Sequence, residues 1–184
     1  MDLKGVSMKH IISLLLLFGC VVAEGNSSGT HNISFTITEG TWMSVDLSPN
    51  GKTIAFDLLG HIYLLPISGR KARAITNGTS WNMFPRFSPD GNTILFTSDR
   101  SGSDDLWTQD LSSGEMKNIS EMKLPVHQGT WSNDGRHVFG TALNMKVQHP
   151  VYMFNMYGEK QEIVPAGSRS PMTHFEMHPS NGLI

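Results

Sequence analysis

Asp46-Leu47-Ser48-Pro49-Asn50-Gly51-Lys52-Thr53-Ile54-Ala55-Phe56 is followed forty residues later by Arg86-Phe87-Ser88-Pro89-Asp90-Gly91-Asn92-Thr93-Ile94-Leu95-Phe96. A third copy, Thr130-Trp131-Ser132-Asn133-Asp134-Gly135-Arg136-His137-Val138-Phe139, lies forty-four residues further on, and His178-Pro179-Ser180-Asn181-Gly182-Leu183-Ile184 forms a degraded fourth. Self-similarity at a fixed period of this size is the mark of a chain built from one supersecondary unit laid down repeatedly.

The centre of each unit is a prescribed turn. Proline presets φ for the first corner, Asp or Asn accepts backbone donors, and Gly takes the positive φ that closes a hairpin. The residues that make it are Ser48, Pro49, Asn50 and Gly51, then Ser88, Pro89, Asp90 and Gly91, then Ser132, Asn133, Asp134 and Gly135, with Asn133 standing where the first two copies have Pro. An apolar second strand follows at Ile54-Ala55-Phe56, Ile94-Leu95-Phe96 and Val138-Phe139, and its character suits burial on both faces. A third strand carries an aromatic at the same place each time, within His61–Leu65, Asp105–Gln109 and Pro150–Phe154. The fourth runs over Ala72–Thr76, Met116–Ser120 and Gln161–Pro165, and is more polar, as an outer edge should be. Trp42 and Trp81 open their units and Trp131 plays a related part in the third. The recurrence of these residues and Trp107 at matching places favours packing between units over a ligand groove. The expectation is an all-β chain of four-stranded antiparallel blades.

Ser-Pro-Asp-Gly with its β-rich run, then Thr97-Ser98-Asp99-Arg100-Ser101-Gly102 and Asp105-Leu106-Trp107, resembles the repeat of TolB-type β-propellers over roughly residues 35–184. The resemblance implies blades at about 42–80, 81–125 and 126–170, with 171–184 opening a fourth. A propeller ring needs more blades than this, so the ring is expected to be incomplete and the chain truncated, the alternative being a short protein that completes a ring by self-association. A narrower likeness runs from Val45-Asp46-Leu47-Ser48-Pro49 through Phe56–Tyr63 to Trp81-Asn82-Met83-Phe84-Pro85-Arg86. It is similar to the propellers that precede a metal-dependent amidohydrolase domain in exported bacterial proteins. That likeness implies a non-catalytic module that docks a protein or peptide-like substrate through its loops. A stand-alone envelope interaction propeller and the propeller cap of a serine peptidase are the alternatives. The third turn, the absence of a Ser-Asp-Arg loop from the first and third blades, and the irregular fourth turn depart from the repeat pattern.

Before the repeats, Lys4 and Lys9-His10 precede twelve uncharged residues from Ile11 to Val22, the layout of an export signal over 1–23. Two processing routes are open. Val21 and Ala23 satisfy the small-residue rule of ordinary signal peptidase, while Leu17-Phe18-Gly19-Cys20 resembles a lipobox in which Cys20 would be acylated. A membrane tether follows only on the second route. Residues 24–32 are small and polar and read as a linker, and the alternation of Ile33, Phe35 and Ile37 with Ser34, Thr36 and Thr38 begins the folded part at 33. The product is expected in the periplasm or outside the cell.

The chemistry is sparse. Cys20 is the sole cysteine, so the body of the chain has no disulfide, thiolate ligand or cysteine nucleophile. There is no His-x-His and no phosphate-binding glycine loop, and Gly25-Asn26-Ser27-Ser28-Gly29 spells Gly-x-Ser-x-Gly only within the polar linker rather than as a strand-to-helix elbow, so no catalytic residue and no cofactor are assigned. His174 and His178 flank Glu176 at a spacing conceivable for a metal, but on a strand entering a turn they read as ordinary histidines. The pair Asp99-Arg100 reads as a structural stitch in preference to a group on the ring's face, and a mutual salt bridge does not follow from adjacency, since neighbours on a strand point oppositely. Met145, Met153 and Met156 suggest an adaptable core. Sequons at Asn26, Asn32, Asn77 and Asn118 read as turn chemistry. With a formal charge of −2 and Lys and Arg scattered along the chain, no basic patch is expected and nucleic acid is excluded as a partner.

Overall fold

A computed structural model describes residues 40, 42–143 and 149–165, and the backbone of a short hairpin at Met177–His178 and Gly182–Leu183. Cys20 and His174 lie outside the described residues, and of His178 only the backbone is described. Among the described residues there is no helix.

The repeats become three four-stranded antiparallel sheets, each strand pairing with the next in sequence and none closing on itself. The first holds β1 (Val45–Leu47), β2 (Thr53–Leu58), β3 (His61–Pro66) and β4 (Arg73–Ala74). The second holds β5 (Asn82–Phe87), β6 (Thr93–Ser98), β7 (Asp105–Asp110) and β8 (Met116–Asn118). The third holds β9 (Val126–Trp131), β10 (His137–Ala142), β11 (Val151–Asn155) and β12 (Lys160–Val164). The recurring aromatic of the third strand faces the same register position in each sheet, Tyr63 opposite Phe56, Trp107 opposite Phe96 and Tyr152 opposite Gly140.

The hairpin between the first two strands is built the same way three times, and its centre is the serine. Ser48, Ser88 and Ser132 each accept at Oγ from the backbone N–H five residues on, at 2.9, 3.0 and 2.9 Å, and each donates to the Asn50, Asp90 or Asp134 side chain. The glycine N–H donates to the serine carbonyl, and Gly51, Gly91 and Gly135 take φ of 69°, 76° and 70°. None of these bonds uses the proline, which is why Asn133 fits the third turn. The prolines have another part. Pro49 Cδ lies 3.4 Å from where a Cβ on Gly91 would sit, and Pro89 Cδ 3.5 Å from the same point on Gly135, so each proline covers the next sheet's turn glycine.

Hydrophobic burial lies between sheets. Because successive side chains leave a strand on opposite faces, β6 sends Ile94 and Phe96 one way and Leu95 the other. Ile94 and Phe96 join Ala55, Ile62, Leu64 and Phe87 in the first seam, while Leu95 joins Leu106, Val126, Trp131, Val138 and Phe154 in the second. Phe139 and Val151, with Met153, Ile163 and Val164 against them, form a further cluster in the third sheet. Met156 packs against the second seam, so Met153 and Met156 do fill core gaps; Met145 lies outside the described residues.

The tryptophans correct the sequence reading. Trp131 is buried in the second seam and donates its indole N–H to the Arg86 carbonyl at 3.3 Å. Trp42 is instead fully exposed and Trp81 54% exposed. The strand that Trp42 was expected to open begins only at Val45, and φ of 60° at Trp42 turns it out of line. Trp81 lies across Gly60, 3.0 Å from a would-be Cβ, with its other face open.

The tightest point of the second seam is Gly140, where an added Cβ would fall 2.6 Å from Leu106 Cδ1 and 2.8 Å from Val126 Cγ1. Gly140→Ala should cost about 1–3 kcal/mol by overpacking, and Leu106→Ala about 2–5 kcal/mol by leaving a cavity. In urea titrations the double variant should lose less than the sum by about 0.5 kcal/mol or more, because the leucine removed is the obstacle. Strict additivity would show that the two sheets are not packed as described.

Candidate functional site

The first strand of each sheet is an edge, and its outward N–H groups need acceptors. At the first seam two carboxylates of the first sheet supply them. Asp46 Oδ2 accepts from Phe87 N–H at 2.7 Å, and Asp57 accepts from Phe84 N–H at 3.0 Å and, through its other oxygen, from Ser44 N–H at 2.6 Å. Thr97 occupies the place of Asp57 in the second sheet, and its buried hydroxyl has no partner among the described residues. The second seam is closed by the Trp131 indole and by His127 Nε2, 2.7 Å from Asp104 Oδ2.

In β5 and β9 the register slips at equivalent places. Phe84-Pro85 stand opposite Phe96 alone, and Gln128-Gly129 opposite Gly140 alone. Such bulges redirect a side chain from a regular strand. The residue at each bulge, Phe84 and Gln128, has φ of 57° and 51°, a left-handed conformation that costs a side-chain-bearing residue about 1–3 kcal/mol and concentrates at functional positions. Leu59 (φ 51°) and Trp42 (φ 60°) adopt it too. Leu59 is 55% exposed, so the end of the sheets opposite the serine turns presents Trp42, Leu59 and Trp81 to solvent; Asp57, which holds both Ser44 and Phe84, sets the Phe84 bulge near them, and the Gln128 bulge takes the equivalent place in the third sheet. Sequence reading missed this end. The bulges leave no composition signal, because their cause is the pairing register.

The Ser98-Asp99-Arg100 loop braces this rim. Asn82 is the hub: its Nδ2 donates to the Gly60 carbonyl at 2.7 Å, and its Oδ1 accepts from Ser98 Oγ at 2.9 Å and from Arg100 Nη2 at 2.7 Å. The guanidinium also donates to Ser98 Oγ, meets Met116 Sδ, and lies 5.4 and 5.0 Å from the ring centres of Phe96 and Trp107. Burial lowers its pKa and nearby Asp99 opposes this; an arginine stays charged regardless. Asp99 turns instead to Trp81 N–H at 2.8 Å, so neighbours in sequence bind different groups and stitch separate points of the loop.

Asp105 closes the adjoining loop. Desolvation pushes its pKa up, but hydrogen bonds from Ser101, Ser120, Asn118 and the Met122 N–H outweigh this and hold it below the ordinary carboxylate value. The Asn118 amide donates to Asp105 at 3.0 Å and its oxygen accepts from Ser120 and Glu121, which commits this sequon inward, whereas Asn77 is exposed. At the opposite end a cavity of about 390 Å³ lies between the second and third turns, lined by Pro89, Asp90, Trp131, Asp134 and Met156 among others. Hydrogen bonds from Ser88 and Ser132 hold the Asp90 and Asp134 pKa values low, so both carboxylates already serve their turns. Among the described residues no three His, Cys, Asp or Glu gather to hold a metal.

The profile of the TolB beta propeller domain matches residues 26–174. A Tol-Pal system protein TolB from Desulfotalea psychrophila is 33% identical over 76 residues, covering 41% of this chain and 17% of that protein. The uncharacterized peptidase YuxL of Bacillus subtilis is 34% identical over 68 residues, 36% of this chain and 10% of that protein. The chain thus spans a small part of the curated relatives it matches. Among solved structures, a putative TolB from Agrobacterium tumefaciens superposes with a TM-score of 0.61 at 22% identity, covering 68% of this chain and 50% of that one.

Asp105 gives a pH prediction. A folded-state pKa below the unfolded one contributes stability that is complete above the unfolded value near 4 and is lost as pH falls through the folded value. Thermal melts from pH 7 to pH 2 should therefore show Asp105→Asn less stable than wild type at pH 7, with the gap narrowing below pH about 4. A gap that widens in acid would contradict the assignment.

Proposed function

This chain belongs to the TolB β-propeller domain family, and from that premise we propose that it is a non-catalytic docking module of an exported protein, holding a protein or peptide-like substrate at the inner rim. The observation that carries this reading is the pair of register bulges at Phe84 and Gln128, two equivalent departures from regular pairing held at a conformational cost, the first near exposed Trp42, Leu59 and Trp81. Large amphipathic and apolar side chains on a braced backbone contact a partner with little ordering to pay for. The turn end offers less, because its carboxylates and serines are consumed by their own hairpins.

Export follows from the charged start, the apolar run Ile11–Val22 and the small residues Val21 and Ala23. Acylation of Cys20 would add an anchor to the same route. The protein served is read as a larger hydrolase of amidohydrolase type, on the likeness of Val45–Pro49, Phe56–Tyr63 and Trp81–Arg86. A peptidase is the second reading, favoured by the match to YuxL, whose name is that of a peptidase. In neither reading do His174 and His178 contribute a metal site.

Phe84→Gly offers a clean test, because glycine relieves the backbone cost at φ 57° while removing the ring. A photo-crosslinking phenylalanine analogue placed at Gln128 in cells should capture a protein in the envelope fraction, and the yield should fall several-fold in the Phe84→Gly background. The same analogue at Lys117, on the outer strand, should capture little. Equal capture from Lys117, or a product found in the cytoplasm with residues 1–23 still attached, would defeat the proposal. Purified chain given zinc and a peptide or amide substrate should show no turnover.

A further inference from the structure

Arg70, Lys71 and Arg73 fall within four residues of sequence, and the fold sets the turn that leads to them beside Lys52 at one corner of the first sheet. The serine turn carrying Lys52 and the β3–β4 turn are neighbours because Ile67 N–H donates to the Lys52 carbonyl at 2.9 Å. Arg70 and Lys71 follow in that second turn, and Arg73 opens β4. All four are exposed, and among the described residues none has a carboxylate within ion-pairing distance. The only two carboxylates of the first sheet and its turns, Asp46 and Asp57, are spent on backbone donors at the seam. A chain of net charge −2 therefore carries a cationic corner whose members are not ion-paired among the described residues, contrary to the expectation from scattered Lys and Arg.

The corner also has an apolar tip. Gly69 N–H donates to the Pro66 carbonyl at 3.0 Å, which closes a four-residue turn with Ile67 at its first corner, and Ile67 is 55% exposed. A hydrophobic side chain at the apex of a turn, ringed by cations, matches one kind of surface well. A free polyanion would engage the cations but gains nothing from an isoleucine held among them, whereas an anionic bilayer rewards both.

We propose that Lys52, Arg70, Lys71 and Arg73 form a docking surface for anionic lipid headgroups, with Ile67 entering the boundary between headgroups and acyl chains. The surface lies at the serine-turn end of the first sheet, the end opposite the rim, and stands whether or not the rim binds a substrate. It differs from acylation of Cys20 in being electrostatic, reversible and salt-sensitive.

The test is partitioning of the purified full chain onto phosphatidylcholine vesicles and onto vesicles that also contain phosphatidylglycerol. The apolar run Ile11–Val22 contributes to both, so the readout is the preference for the anionic vesicles. Each replacement of a corner cation by Gln should lower that preference about fivefold, the ratio that ~1 kcal/mol per cation corresponds to, and high salt should abolish it. Ile67→Ser should weaken binding to the anionic vesicles and leave heparin binding unchanged. Arg136→Gln with Lys160→Gln, cations of the third sheet, should have no effect. The proposal fails if the wild type shows no anionic preference, or if the quadruple variant, folded by circular dichroism, partitions like the wild type. It also fails if the third-sheet pair costs as much per charge, or if Ile67→Ser is silent on vesicles while the corner binds heparin.

Discussion

The seam between consecutive sheets is what the rest of this structure depends on. A four-stranded sheet of this size, apolar on both faces, cannot bury itself, and here Ile94, Phe96, Ala55, Ile62 and Phe87 meet only because two sheets are stacked. The second seam repeats the arrangement with Leu95, Leu106, Val138 and Phe154. Stability in such an array comes mainly from nearest-neighbour terms, and a change at one seam reaches another only through the sheet they share.

Polar groups fix the register at which those apolar faces meet. Asp46 and Asp57 reach across the first seam to the edge N–H groups of β5, and Asn82 ties the same seam to the Ser98-Asp99-Arg100 loop. These contacts hold the inner strands where they can slip by one residue and still be supported. The Phe84 bulge is braced in this way, the Gln128 bulge forms without an equivalent carboxylate, and the exposed aromatic rim is the part of the chain with the least structural work to do. Trp42 and Trp81 illustrate the difference from Trp131: only the last lies in a strand between two sheets, and only it is enclosed.

Much of this was legible in the residues. The serine turns and the apolar second strands mark the repeat, and strand edges fall within a few residues of where apolar runs end. The role of Ser48, Ser88 and Ser132 was less visible, since turn chemistry drew the eye to Pro, Asp and Gly, yet the serine hydroxyl makes the bond to the strand in all three copies. The candidate rim was not legible. A bulge is a statement about which residues face each other, and Met83-Phe84-Pro85-Arg86 reads as an unbroken strand until its partner is known. The cationic corner was only partly hidden: Arg70, Lys71 and Arg73 stand close in the sequence, but Lys52 is brought to their turn by a hydrogen bond between two turns.

The sequence alone determined the unit and its hairpins, because a turn is a local object: its hydrogen bonds span at most five residues and its φ values belong to named residues. It determined equally that the body of the chain is without cysteine chemistry. Tertiary structure alone decided which tryptophan is enclosed, where the inner strands slip, and which charges share a corner. Those outcomes hang on contacts between residues well apart in the chain, within a sheet for Lys52 with Ile67 and the register of β5 on β6, and across a seam for Asp46 with Phe87 and Trp131 with Arg86, and side-chain identity cannot state them until the strands have paired and the sheets have stacked.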